Sequence, residues 1–289
     1  VFHIIDLFSL MEKVGIRFMS MGIYGGIGRV QTSVDIVTPF ILFVALMNRS
    51  LGLNLSRVFF LFFIPFTWLA LILSFSRYLL MAALFAHFCY WITLNHKKLI
   101  FSLFRFSCLV ALFIMMIGPE KVYQVVERRF FSEHSEKSDD IRKIQISNLL
   151  EAFFTAPVLG KGMGGFIEEG VRDQTLKHSY EVQWVAFLMQ FGLVGLMAIS
   201  IPLLGIAYLF QKPPLTRVKF SFLLMFLVWL LSGFTNPFLI SLTSGVIYAI
   251  FCIAGYQLIA LQSYSWNPPS PYQRPLSKLI VHKTNTLKI

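Results

Sequence analysis

Charge is what this sequence has least of. Asp, Glu, Lys and Arg make up 13% of the 289 residues, where an ordinary soluble domain carries about 25%. Hydrophobic residues reach 56%, Phe alone contributes 31, and mean hydropathy is +0.70. A soluble core of this size cannot hide that much apolar surface, so a soluble globular domain is excluded. Intrinsic disorder is excluded for the same reason. Cysteine is scarce too. Cys89, Cys108 and Cys252 each sit inside an apolar run, which suits small buried hydrophobes and not a disulfide scaffold. No HExxH, paired-cysteine or His/Asp cluster offers a metal site, and no Gly-x-Ser-x-Gly elbow offers a serine nucleophile. The sequence calls for neither metal nor cofactor.

What is present is a series of long apolar runs. A spanning helix needs about 20 mostly apolar residues. The runs 58–75, 78–94, 99–117 and 238–261 approach or meet this, followed by 193–210 and 218–234. A seventh, 34–47, is short, with Asp35 near one end and Pro39 inside. None alternates polar with apolar, so a membrane barrel is excluded. The expected fold class is all-α, a polytopic transmembrane helical bundle of about six or seven spans.

Charge orients the bundle. The connections 48–57, 95–98 and 211–219, with the tail 262–289, hold eleven basic residues and no acidic one. The long segment 118–181 holds nine basic and eleven acidic residues. With seven helices all the basic connections fall on one side, which the positive-inside rule makes cytoplasmic. The net charge of +11 equals that cytoplasmic excess and requires no nucleic-acid partner. The chain therefore divides into an extracytoplasmic or interfacial segment 1–33, membrane helices over 34–117, an extracytoplasmic loop 118–181, membrane helices over 182–261 and a disordered tail 262–289. Bases in that tail can meet anionic headgroups of the membrane lipids.

The polar groups left on the outer side are the candidates for chemistry. Arg77 follows Ser74-Phe75-Ser76 at an outer turn, Arg29 precedes the first run, and Arg142 lies in the loop. The loop also holds Gly160, Gly162 and Gly164, then His178, Ser179 and Glu181. Arginine presents a planar fork matched to phosphate oxygens, and histidine takes a proton near neutral pH. Each has an ordinary alternative. Arg77 at a helix end would be an interfacial anchor, His178 a solvated surface group, and the glycines a turn. The glycine run is no nucleotide loop, since no strand precedes it and no Lys-Ser or Lys-Thr pair closes it. His87, inside a span, reads as packed or bonded to its own helix, and Arg105 as a residue reaching toward the cytoplasmic interface. Glu181, three residues after His178, has the spacing to orient the imidazole.

The order of these features resembles the O-antigen ligase and polymerase superfamily of bacterial envelope glycosyltransferases. Ser74-Phe75-Ser76-Arg77 is similar to its Ser-x-Ser-Arg element. Arg142 precedes Ala156-Pro157-Val158-Leu159-Gly160-Lys161-Gly162-Met163-Gly164, which is similar to its proline and glycine segment. His178-Ser179 followed by Phe191-Gly192-Leu193-Val194-Gly195 is similar to its histidine pair leading into GxxG. Here the pair stands further from GxxG than is usual for the family. Members carry additional upstream spans, so a chain opening at Val1 is expected to be the later part of a longer protein.

The resemblance implies a GT-C-like membrane glycosyltransferase of the bacterial inner membrane, metal-independent, with its site facing the periplasm. Its donor would be an undecaprenyl-diphosphate-linked glycan, and its acceptor a lipid A core or a growing glycan. Arg77 and Arg142 would bind the diphosphate, with Arg29, Ser74 and Ser76, the three glycines, Ser179 and Glu181 as substrate contacts. His178 would be the base on the acceptor hydroxyl. A ligase is preferred over a polymerase or a protein O-oligosaccharyltransferase. The rivals from another class are a transporter subunit and a membrane scaffold. Transporters place ionisable residues at mid-membrane, whereas here they gather on the outer loop.

Overall fold

The structure, a computed structural model, describes residues 33–74, 76–120, 122–123, 127, 133–168 and 180–266. Among these residues all regular structure is helical. A 3-10 turn, Ser33–Val37, leads into α1 (Thr38–Leu46). Then follow α2 (Arg57–Leu73), α3 (Arg77–Ile92), α4 (His96–Ile117), α5 (Glu133–Phe154), α6 (Gln183–Gln211), α7 (Arg217–Leu231) and α8 (Leu242–Trp266).

Local chemistry sets these boundaries. The Ser56 and Thr216 hydroxyls accept the N–H groups of Phe59 (3.1 Å) and Lys219 (3.2 Å) and so cap α2 and α7. Pro39 falls in the first turn of α1, where a missing N–H costs nothing. Gly118 ends α4 with φ 92°, a conformation open to glycine.

Each of the seven apolar runs has most of its described residues in helix. Four stretches are long and apolar enough to cross a bilayer: His96–Met115, Gln183–Gln211, Arg217–Phe234 and Thr243–Ser263. Three more, Val34–Leu46, Val58–Ile72 and Arg77–Ile92, are apolar but shorter than 18 residues. By length the six or seven expected spans thus resolve into four full candidates and three shorter helices. The serines at 74 and 76 end the second of these shorter helices and start the third. Val58, Leu61, Phe62 and Phe66 on α2, Phe104 on α4, and Met197, Ile201 and Leu204 on α6 all point outward. Apolar helices that turn such faces outward belong in lipid, and the molecule is a membrane protein.

The interior is packed by rings and small residues. Phe40 and Phe43 of α1 meet Trp229 and Phe222 of α7 edge-on, with centroids 5.4 and 4.7 Å apart. Phe251 of α8 meets Phe226 at 5.0 Å. Ala82, Ala83, Ala86 and Cys89 give α3 a small buried face on which α1 and α7 pack. In lipid, such close packing and interhelical hydrogen bonds hold helices together, and the Ser221 hydroxyl donates to Cys89 O at 2.8 Å. Outside this core, α5 lies on the first half of α6 through Leu149 and Ala152 against Val182, Ala186 and Met189.

Candidate functional site

Two ends of the bundle can be told apart by their cross-links. At one end Gln257 Nε2 donates to Leu51 O, Gln262 Nε2 to Pro214 O, and Lys219 Nζ to Lys212 O. This end gathers the basic connections. At the other end Tyr78 OH donates to Val228 O (3.5 Å) and its ring meets Phe238 (5.8 Å). Leu239 N donates to Gln183 Oε1 (2.7 Å) and Trp184 Nε1 to Leu230 O (2.8 Å). These contacts carry the Ser74–Arg77 turn and the start of α6 to one and the same end.

At that turn the two serines do different work. Ser74 is fully buried, and its hydroxyl donates to Leu71 O at 2.7 Å, closing α2. Its oxygen also accepts Ser76 N–H at 3.3 Å. Ser76 then caps α3, and Arg77 is the first residue of that helix, half-buried at its positive end. Both serines are thus occupied in holding the break that presents Arg77.

Arg142 is held across the loop. Its Nε lies 2.9 Å from Glu181 Oε2, and the two side chains are 20% and 12% exposed. Gln145, buried one turn along α5, accepts Glu181 N–H at 3.2 Å. Tyr180 beside it is buried, and its hydroxyl accepts Ile167 N–H at 2.7 Å. Burial raises the Tyr180 phenol above its usual range, and the Ile167 N–H partly offsets this. The carboxylate whose spacing offered it to His178 is thus engaged by Arg142. Sequence spacing missed Gln145 and Tyr180. The visible signal was the i,i+3 step from Arg142 to Gln145, which puts both on one helix face.

The glycines solve a problem of close approach. The loop 157–162 lies against the α6 backbone. Lys161 N donates to Met189 O (2.8 Å) and Gly162 N to Gln190 O (2.9 Å). In return Leu193 N donates to Pro157 O (2.9 Å) and Val194 N to Val158 O (3.2 Å). Helix α6 breaks at Gly192, with φ 63° and ψ −168°, and so frees the groups that pair. A Cβ on Gly160 would strike the backbone of Gln190 and Gly192, and one on Gly192 would strike Val158. Gly162 and Gly164 have positive φ, 95° and 89°, with open space where a Cβ would stand. Gln190 Nε2 donates to Gly165 O at 3.2 Å and closes the turn.

Arg29, His178 and Ser179 lie outside the described residues. His87 is buried among Trp68, Trp91 and Phe106, with Nδ1 3.3 Å from Ala83 O, so it packs and bonds to its own helix. Arg105 lies over the Phe101 ring at 4.0 Å. Among the described residues no group of three or more His, Cys, Asp or Glu side chains gathers.

Residues 58–200 match the family model described as O-antigen ligase. The chain belongs to the O-antigen ligase superfamily. The matched stretch runs from the first turn of α2 to the middle of α6. It therefore contains the Ser74–Arg77 turn, Arg142, the docked glycine loop and the Gly192 break, and leaves Arg29 outside. No curated protein matches the chain. For an O-antigen ligase family member the general activity is glycan transfer by a membrane enzyme, from a lipid-linked donor to a glycan acceptor.

Proposed function

We propose that this protein transfers a glycan from an undecaprenyl-diphosphate carrier to a hydroxyl of a lipid A core, at the outer face of the bacterial inner membrane. The observation that supports the reading is that Arg77 and the Arg142–Glu181 pair lie at the same end of an apolar bundle, away from the basic connections. Under the positive-inside rule that end is periplasmic. The four long helices and the three shorter ones would together form a GT-C-like bundle of about seven spans.

In this reaction the acceptor oxygen attacks the anomeric carbon while the bond from that carbon to the diphosphate oxygen breaks. The diphosphate leaves with the electron pair. Arg77 and Arg142 bind it and stabilise the charge that develops, in a partly desolvated site where such charges act strongly. His178 accepts the hydroxyl proton. The two guanidinium groups do the work for which other transferases use a divalent cation.

The test is glycan transfer in cells lacking their own ligase, supplied with the full-length gene either intact or with Arg77→Ala, Arg142→Ala or His178→Ala. Envelope glycan is resolved on gels by length and attachment, with membrane expression matched. Intact protein should restore ladders on lipid A core, and each substitution should reduce them at least 100-fold, the scale of losing a general base or an oxyanion donor. Restored chain length without attachment makes the protein a polymerase. Undiminished ladders in all three variants overturn the assignment.

A further inference from the structure

We propose that the loop Pro157–Gly164 is a membrane-interface anchor, with Val158, Leu159 and Met163 seated in the outer leaflet of bulk phospholipid and Lys161 level with its phosphates. Leu159 and Met163 are 72% and 87% exposed, and Val158 and Lys161 are exposed beside them. Water is a poor partner for such a patch. Its depth follows from the hydrogen bonds that dock it. Pro157 and Val158 pair with Leu193 and Val194, the first residues after the Gly192 break. From Leu193 to Gln211 the helix has 19 residues. At 1.5 Å per residue it is about 28 Å long, close to the hydrocarbon core of a bilayer. Residues 193 and 194 therefore stand at the edge of that core, and the loop stands with them.

The occupant is identified by continuity. Exposed Leu193, Val194 and Met197 carry on the same apolar surface down the span, so the loop extends a face already turned to lipid. A lysine among apolar side chains at this depth is the arrangement that meets anionic phosphates. The glycine loop then does more than pack, since it ties the outer loop and the α6 break to a fixed depth in the bilayer.

The test uses the full chain in nanodiscs of phosphatidylethanolamine and phosphatidylglycerol, free of any polyprenyl carrier. Cys108 and Cys252 are replaced by Ser, while Cys89 is buried and stays. Nitroxides are placed by Leu159→Cys and Met163→Cys. Reference labels sit at Met197→Cys on the span and at Lys143→Cys on α5. Collisions with oxygen should exceed those with a water-soluble nickel chelate at both loop sites, several-fold above the Lys143 ratio and approaching the Met197 ratio. A ratio equal to that at Lys143 at either loop site overturns the proposal. In the unaltered chain, a phospholipid carrying a diazirine near the glycerol should label the peptide containing residues 157–164. Absence of that label likewise overturns it.

Discussion

At the residue scale the decisive contact is Arg142 with Glu181. Removing one member leaves the other charge in a largely buried place, at a cost of about 3–5 kcal/mol for a buried pair. Glu181→Gln should therefore lower the thermal midpoint in detergent and reduce transfer together. Replacing both, Arg142→Met with Glu181→Leu, should restore most of the stability, since an apolar pair of similar volume is well tolerated. Under the proposed function transfer should stay lost, because the diphosphate contact assigned there to Arg142 would be gone. An unchanged midpoint in Glu181→Gln would show that the pair does not hold the loop.

Among elements, the docked loop and the broken helix form one device. Four backbone hydrogen bonds join residues 157–162 to 189–194, and only glycine fits at both points of closest approach. Gly160→Ala and Gly192→Ala would each drive a Cβ into backbone. Both should undock the loop and open it to limited proteolysis. Gly162→Ala and Gly164→Ala meet no neighbour and carry only the cost of a left-handed conformation, about 1–2 kcal/mol. The two pairs should therefore differ clearly in protease resistance, and equal sensitivity in all four variants would refute the close-approach account.

Over the whole molecule, the cross-linked ends predict sidedness. Single cysteines at Lys97 and Lys212, in a background lacking Cys108 and Cys252, should resist a membrane-impermeant thiol reagent applied to spheroplasts. A cysteine at Lys143 should react within the same time. The reverse pattern would invert the bundle and place the Arg142–Glu181 pair in the cytoplasm, where an outer-face transfer is impossible.

Much of the architecture was legible from composition because lipid leaves a chain few options. Every buried backbone group must be satisfied inside its own segment, so long apolar runs become helices, and each of the seven runs has most of its described residues in helix. Serines and glycines at the joints were readable too, since capping and positive φ are local properties. The motif order around Arg77, Arg142 and Gly160–Gly164 carried the family on sequence alone. Tertiary structure decided what those residues touch. Spacing offered Glu181 to His178, and only packing of α5 on α6 brought Arg142 to it. Gly160 read as a substrate contact, and only the fold showed Gly192 standing against it. Local chemistry determines elements, while contacts between residues 28 to 150 positions apart depend on how those elements pack.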